Sequence, residues 1–366
     1  MTASEVLWSA PGAVPVTSGP SLAEWLDEQT FDVLLHDPGA CRAVPGAMPV
    51  RIGEDGEHLR IARQIRGARH IMVLGGGSAI DLVKLAAVVA GGGRLRWSEA
   101  GRSGLALVGA GPGPRPAVAA VPTTFGTGAE VSSVARARLP DGRSRLVWSP
   151  LLRPRQALLD PGLLVPLAPP ARGSGTLELL LRLIGPLLGP RPLHLTAEAW
   201  TLGLAERVLE AGDAALSRTR PDTAALRRLG ALSAVSQQCW PLVGRSPFAF
   251  LLWYLADTAA VVGGVPKMAA MARLAPYYAA LVVSGRSVSA WGDAGRARRV
   301  ARALFGTGTA CGVEDAMRSL YRRWQVPVAD RLAPAEELAR EALLSWPRAL
   351  DGLGRRELAE FYGRCP

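Results

Sequence analysis

The segment HIMVLGGGSAIDLVKLAAVVAGGG, residues 70–93, sets the fold. His70 to Leu74 form an apolar run of strand length, Gly75, Gly76 and Gly77 follow, and Ser78 opens a helical pattern that carries Asp81 and Lys84. The hydrophobic period changes from about 2 to 3.6 residues across the glycines, which predicts a strand, a tight turn and a helix. Missing side chains at such a turn let backbone N–H groups approach phosphate oxygens at the positive end of the helix dipole. The spacing departs from GxGxxG, so the ordinary dinucleotide fingerprint is not met.

Working outward, FDVLLHD (31–37), EHLRIARQIRGA (57–68), HIMVLGG (70–76), AIDLVKLAAVVA (79–90) and AVAAVPTT (117–124) alternate strand and helix. That order predicts an α/β N-terminal domain with a parallel, Rossmann-like doubly wound sheet. Beyond QALLDPGLL (156–164) the strand signal ends, and Ala/Leu/Arg segments of helical period predict an all-helical C-terminal domain. Pro161, Pro166, Pro169 and Pro170 interrupt regular structure and mark the boundary. The expected division is 1–165 and 166–366, with a cleft between the two.

The chain has 366 residues, 49% hydrophobic and 20% charged, enough to bury two cores. MTASEVLWSA at the start has no basic region ahead of an apolar core, so a signal peptide is not expected. FAFLLWYLADTAAVVGGV (248–265) is broken by Asp257, Gly263 and Gly264, which favours a buried core helix over a membrane span. Cys41, Cys239, Cys311 and Cys365 lie far apart, which suits a reducing cytosol, and a cytoplasmic protein is expected. The net charge of +11 comes from dispersed residues, which argues against a nucleic-acid surface. Only Lys84 and Lys267 are lysines among 42 basic residues, so arginine is strongly preferred.

Two further segments bear on a cofactor. AVPTTFGTGAEVSSVARA (120–137) gathers Thr123, Thr124, Gly126, Thr127 and Gly128 after a strand, offering hydroxyls and open backbone to ribose and phosphate. Asp37 closes an early strand, where a carboxylate accepts hydrogen bonds from an adenosine ribose and repels a 2′-phosphate. Together with Gly75, Gly76, Gly77, Ser78, Asp81 and Lys84, these residues predict an NAD(H) site with preference over NADP(H).

GGGSxxDxxK (75–84), PTTxGTGxE (122–130) and LLDPGLL (158–164) occur in the order and spacing of the iron-dependent alcohol dehydrogenases, a superfamily that includes glycerol dehydrogenase and dehydroquinate synthase. The chain resembles that superfamily, with Phe125 and Ala129 where Ala and Ser are common in the second motif. LYRRWQVPVADRLAPAEELAREAL (320–343) is similar to the family's closing helices. The arginine-rich, lysine-poor composition suggests a GC-rich bacterium, and the chain resembles the branch found in daptide-type clusters, where ribosomal peptides are modified at the C-terminus.

The resemblance implies a divalent metal that polarises an alcohol or carbonyl oxygen beside the nicotinamide, held by a carboxylate after the DP motif and by histidines downstream. Glu178 falls on the carboxylate position, but Arg182 stands where the alcohol dehydrogenase branch has the next histidine, and protonated arginine offers no lone pair. The histidines are His36, His58, His70 and His194, so none remains for the distal positions, and no bound metal is expected. Met268, Met271, Tyr277 and Tyr278 occupy the downstream region, most simply as core. Glu178 and Arg182, four apart with the acid first, form either an ordinary exposed helix pair or a buried pair that neutralises the former ligand.

Three functions compete. The first expectation is an NAD(H)-binding pseudoenzyme that serves as accessory or scaffold for a partner tailoring enzyme in peptide natural-product biosynthesis. The alternative is an active, metal-independent NAD-dependent dehydrogenase for an alcohol or carbonyl substrate, with Lys267, Tyr277 or Tyr278 as acid or base. A cyclase like dehydroquinate synthase also needs the missing metal. A peptide substrate, a protein partner or a homo-oligomer fits the first reading, and Arg296, Arg298, Arg299 and Arg302 are the candidate contacts.

Overall fold

The computed structural model describes residues 5–8, 13–40, 44–96, 106–138, 144–191, 193–216, 222–238, 249–285 and 289–365. Its elements run β1 (Glu5–Trp8), β2 (Val16–Ser18), α1 (Leu22–Asp27), β3 (Val33–His36), β4 (Met48–Pro49), α2 (Glu57–Gln64), β5 (His70–Gly75), α3 (Gly77–Ala90), β6 (Arg94–Arg96), β7 (Ala106–Gly109), β8 (Ala117–Pro122), β9 (Val134–Arg138), β10 (Ser144–Trp148) and β11 (Gln156–Leu159). The later elements are α4 (Pro169–Leu188), α5 (Leu195–Leu216), α6 (Thr223–Ser236), α7 (Leu252–Gly263), α8 (Lys267–Ser284), α9 (Ala294–Phe305), α10 (Ala310–Arg323), α11 (Ala335–Ser345) and α12 (Arg355–Gly363).

The main sheet has the order β1-β2-β11-β8-β5-β3-β4, with β1 antiparallel to β2 and every other neighbouring pair parallel. Successive residues of β5 point to opposite faces, as the strand period demands. Ile71 and Val73 pack with Ile61, Ile65, Ile80 and Val83 of the α2–α3 side. Met72 and Leu74 pack with Leu22 and Trp25 of α1. β8 alternates in the same register, Ile71 lying opposite Val118 and Gly75 opposite Pro122. Burial on both faces explains the continuous apolar runs of β5 and β8.

A second sheet, β6-β7-β10-β9, was not expected from the sequence. Its strands are three to five residues long, and β6, β9 and β10 carry arginines, so they give little hydrophobic signal.

The chain divides into two compact units after Leu167, but residues 221–239 belong to the first unit. Helix α6 therefore departs from the expected 166–366 domain. Its Ala234 is buried with Val14, Val16, Val131, Ala157 and Leu159, a partnership fixed by tertiary packing that no local pattern reveals. Pro161 opens a 3-10 turn, and Pro169 and Pro170 start α4, so the prolines initiate structure where they were expected only to break it. A first-turn proline loses no helix hydrogen bond and has the right φ.

The second unit is helical, and its core includes a chain of aromatic contacts: Phe250–Tyr278, Tyr278–Trp291, Trp291–Phe361 and Tyr254–Trp346, with centroids 4.9 to 6.1 Å apart. The apolar run around 252–263 is the buried helix α7. Among the described residues no helix is long and apolar enough to cross a membrane.

Asp160 of the LLDPGLL motif ties the first unit together. One carboxylate oxygen accepts the Leu22 N–H at the start of α1 at 2.8 Å, and the other accepts the Gly162 N–H at 2.8 Å. With Asp160 only 7% exposed, Asp160→Ala leaves two amides without their charged acceptor. We expect a loss of about 2–4 kcal/mol in urea unfolding; a loss below about 0.5 kcal/mol would contradict this role.

Candidate functional site

The strand-to-helix turn of the first unit has the geometry of an anion cradle. Gly75 ends β5, and Gly76 is the extended N-cap of α3 with no side-chain cap, so the first-turn amides point toward an incoming acceptor. Thr124 and Thr127, from the loop after β8, lie against this turn. A Cβ at Gly77 would stand 2.8 Å from Thr127 Oγ1, so only glycine admits this approach. Thr124 Oγ1 is 3.5 Å from the Cβ position of Gly76, and the Thr123 N–H donates to Gly75 O at 3.0 Å. The structure thus brings together two motifs about 45 residues apart.

The loop is shaped by its own glycines and by α6. Gly128 has φ +62°, and a side chain there would run into Gln237. The Gly126 N–H donates to Ser233 Oγ of α6 at 2.9 Å. Phe125 and Ala129, the altered positions of the motif, are both buried.

Asp37 stands at the C-terminal end of β3, where its Cβ would be 2.9 Å from a Cβ on Gly75. Its N–H donates to Leu74 O at 2.9 Å, and its Oδ1 accepts the Gly39 N–H at 2.8 Å. Ser78 is exposed. Asp37, the glycine turn and the threonine loop all lie at the carboxyl ends of parallel strands, the usual ligand edge of such sheets.

Asp81 and Lys84 differ from their expected role as cofactor contacts. The Lys84 side chain is fully buried, and its ammonium donates to Val134 O (2.6 Å), Ala129 O (3.1 Å), Asp81 Oδ1 (3.1 Å) and Ser132 Oγ (3.2 Å). Asp81 Oδ2 accepts the Arg136 N–H at 2.9 Å. Together they fasten residues 129–136 to α3 and so hold the threonine loop from behind.

In the second unit, Arg182 Nη2 donates to Glu178 Oε1 at 2.8 Å, with side chains 21% and 18% exposed. The pair is half-buried. The Arg182 guanidinium lies 5.4 Å from the ring centroid of Trp253, and Lys267 Nζ lies 5.0 Å from the same ring. Asp257 Oδ1 is 3.5 Å from Lys267 Nζ. Helices α4, α7 and α8 thereby bring two cations, two carboxylates and one indole together.

Sequence reading missed Trp253 as a site residue, and it weighed Asp257 as a break in a membrane span and, with Cys239 and Cys311, as a conceivable metal shell that the spacing does not support. The i, i+4 spacing of Trp253 and Asp257 puts those two on one face of α7, which was the available signal. Tyr278 is buried, donates its hydroxyl to Trp291 O at 2.7 Å, and burial pushes its phenol far above the ordinary tyrosine range. Tyr277 lies against Phe361, with centroids 5.5 Å apart. His194 is exposed on the surface, and Cys239 lies outside the described residues.

A divalent metal does not fit this place. Among the described residues no group of three or more His, Cys, Asp or Glu could hold an ion. The Glu178 carboxylate is bonded to Arg182, whose protonated guanidinium offers no lone pair, and Asp257 faces the Lys267 ammonium, which offers none either.

The arginines expected as partner contacts are mostly engaged within the second unit. Arg296 is buried and donates to Leu187 O, Gly189 O and Arg191 O at the end of α4. Arg298 donates to Val283 O and Ser284 O, closing α8, and Arg299 pairs with Glu198 at 3.0 Å.

Residues 56–161 match the family model for iron-containing alcohol dehydrogenase. Phosphonoacetaldehyde reductase of Streptomyces viridochromogenes is 38% identical over 125 residues, which span 33% of this chain and 31% of that protein. Over nearly its whole length the chain has the fold of solved relatives. The iron-containing alcohol dehydrogenase of Thermococcus thioreducens aligns with TM-score 0.71 at 19% identity, covering 96% of this chain and 98% of that one. NADH-dependent butanol dehydrogenase A of Thermotoga maritima gives 0.75 at 13%, covering 98% of each chain. Sulfoacetaldehyde reductase of Bifidobacterium kashiwanohense, solved with NAD+, gives 0.71 at 18%, covering 99% of each.

Because Lys84 is a positioning residue, Lys84→Met should destabilise the first unit by about 3 kcal/mol by leaving the Ala129 and Val134 carbonyls, Ser132 and the half-buried Asp81 without their cation. Chemical denaturation checks this, and a midpoint equal to wild type would show that the ammonium pins nothing.

Proposed function

We propose that this chain, which has the iron-containing alcohol dehydrogenase fold throughout and matches the family model over residues 56–161, is an NAD(H)-dependent oxidoreductase that works without a metal centre. The observation that carries the reading is the glycine–threonine cradle of the first unit. Gly76, Gly77, Thr124 and Thr127 offer amides and hydroxyls to a pyrophosphate, and Asp37 suits an adenosine ribose. When bound, NAD(H) supplies the hydride chemistry. The chain's own residues bind and orient it, while Arg182 and Lys267 provide two fixed positive charges in partly buried surroundings. The reductases similar to this chain are named for aldehydes, which supports an alcohol–carbonyl pair as the substrate class.

The accessory reading is kept as a second proposal, for one reason. Leu195, at the start of α5, is 80% exposed, an apolar side chain that a protein partner would cover. A partner tailoring enzyme acting on a peptide, or a second copy of this chain, would cover it. Co-expression with each candidate enzyme followed by size-exclusion chromatography separates the readings. A partner that needs this chain, itself unable to oxidise or reduce anything with NAD(H), would replace the oxidoreductase proposal with the accessory one.

Titration of NADH fluorescence tests the cofactor. We expect saturable binding, weakened at least about tenfold by Gly77→Val, whose side chain overlaps Thr127. No binding by wild type at millimolar NADH would overturn the reading. Asp37→Ala should tighten NADPH binding toward that of NADH by removing repulsion of the 2′-phosphate; unchanged discrimination would take Asp37 out of the site.

A further inference from the structure

Thr127 stands between two glycines whose backbones lie in the left-handed region, Gly126 at φ +103° and Gly128 at φ +62°. Glycine visits that region freely and gives up more conformational freedom than any other residue when it is fixed. A loop with such a residue on each side of its working threonine keeps one shape when neighbouring structure holds both. Helix α6 does this. The Gly126 N–H donates to Ser233 Oγ at 2.9 Å, and Ser233 is fully buried. On the other flank Gly128 rests on the same helix, since a Cβ there would stand 3.2 Å from Ser233 O and would overlap the Gln237 side chain. Ser233 and Gln237, one turn apart on one helix face, thus hold the residues before and after Thr127.

The helix is itself anchored to the main sheet. Gln238 Oε1 accepts the Val14 N–H at 2.6 Å, Arg227 Nε donates to Ser18 Oγ at 3.2 Å, and Ala234 is buried with Val16, Ala157 and Leu159. Helix α6 is therefore a splint between strand β2 and the threonine loop. Every residue of this arrangement belongs to the first unit, and α6 lies outside residues 56–161, the segment that matches the family model.

We propose that α6 sets the affinity of the first unit for the dinucleotide, with Ser233 as the positioning residue that fixes Thr127 against Gly77. The inference rests on the cofactor reading above. Thr127 Oγ1 stands 2.8 Å from the Cβ position of Gly77, so a small displacement of Thr127 changes the cradle directly. A cradle already in its bound shape avoids the entropy of ordering the loop when a phosphate arrives. No side chain of α6 has to touch the ligand, because the helix acts through Thr127. Without the Ser233 hydroxyl the loop explores more backbone states, and binding must collect it into one of them. Affinity then falls although the contacts in the bound state stay the same.

The test uses the full-length protein, with NADH binding followed by fluorescence and, without cofactor, amide exchange of residues 123–130 followed by mass spectrometry. Ser233→Ala removes the acceptor and should raise the NADH dissociation constant about five- to tenfold, with faster exchange across the loop. Ser233→Cys keeps the volume but offers a weaker acceptor, so it should fall between Ser233→Ala and wild type. Two comparisons separate positioning from plain loss of stability. Ala234→Gly weakens the same helix on its sheet side; it should lower the urea midpoint at least as far as Ser233→Ala does and leave NADH affinity within about twofold of wild type. In a Thr127→Ala background, Ser233→Ala should cost less than about twofold more, because its action passes through Thr127. The inference is overturned if folded Ser233→Ala binds NADH as wild type does, if Ala234→Gly weakens binding as much as Ser233→Ala, or if the losses from Ser233→Ala and Thr127→Ala simply multiply. Each of those results leaves the oxidoreductase reading standing. Absence of binding by wild type at millimolar NADH would instead remove the cofactor reading and this inference together.

Discussion

A buried ammonium shapes the first unit. Lys84 Nζ gathers two main-chain carbonyls, a hydroxyl and a carboxylate from residues spread between 81 and 134, and so stitches the end of the threonine loop to the helix that follows the glycine turn. With that stitch in place, Thr124 and Thr127 lie against Gly76 and Gly77, and the unpaired amides at the head of α3 face the same edge as Asp37. A buried charge is tolerated only when its donors are satisfied. Satisfying them requires the loop geometry that a dinucleotide phosphate also needs.

The second unit answers a different electrostatic problem. Glu178, in the position that the sequence resemblance gives to a metal-binding carboxylate, is neutralised by Arg182, and Asp257 is neutralised by Lys267. Two tethered monocations bring as much positive charge as one divalent ion, and Trp253 offers its ring to both. Cation–π contact and ion pairing in partly buried surroundings stabilise this arrangement without any lone-pair donor set. Fixed cations can still stabilise negative charge that develops on an oxygen.

Much of the fold was legible because local pattern and tertiary role agree there. The change of period across Gly75–Gly77 gave β5 and α3, and the double burial of β5 and β8 left unbroken apolar runs. The glycine and threonine motifs also gave most of the cradle. Three features were hidden, each because long-range contacts decide it. Helix α6 resembles the later helices in composition, and long-range contacts tie it to the first unit: Ala234 buried against β2 and β11, Arg227 bonded to Ser18, and the Gly126 amide bonded to Ser233. Lys84 follows a phosphate-type turn and therefore reads as a ligand, whereas its partners at Ala129, Ser132 and Val134 lie 45 to 50 residues away. Trp253, Asp257 and Lys267 become one cluster with Glu178 and Arg182 only when α4, α7 and α8 pack, and charge pairs distant in sequence leave no periodic trace.

The proposed function requires that the chain bind a dinucleotide without a metal centre. Native mass spectrometry of the protein incubated with NADH and an equimolar mixture of Zn2+ and Fe2+ tests it most directly. One NADH per chain and no retained metal after mild desalting are expected. A single metal ion that survives desalting, and that disappears with Glu178→Ala, would contradict it.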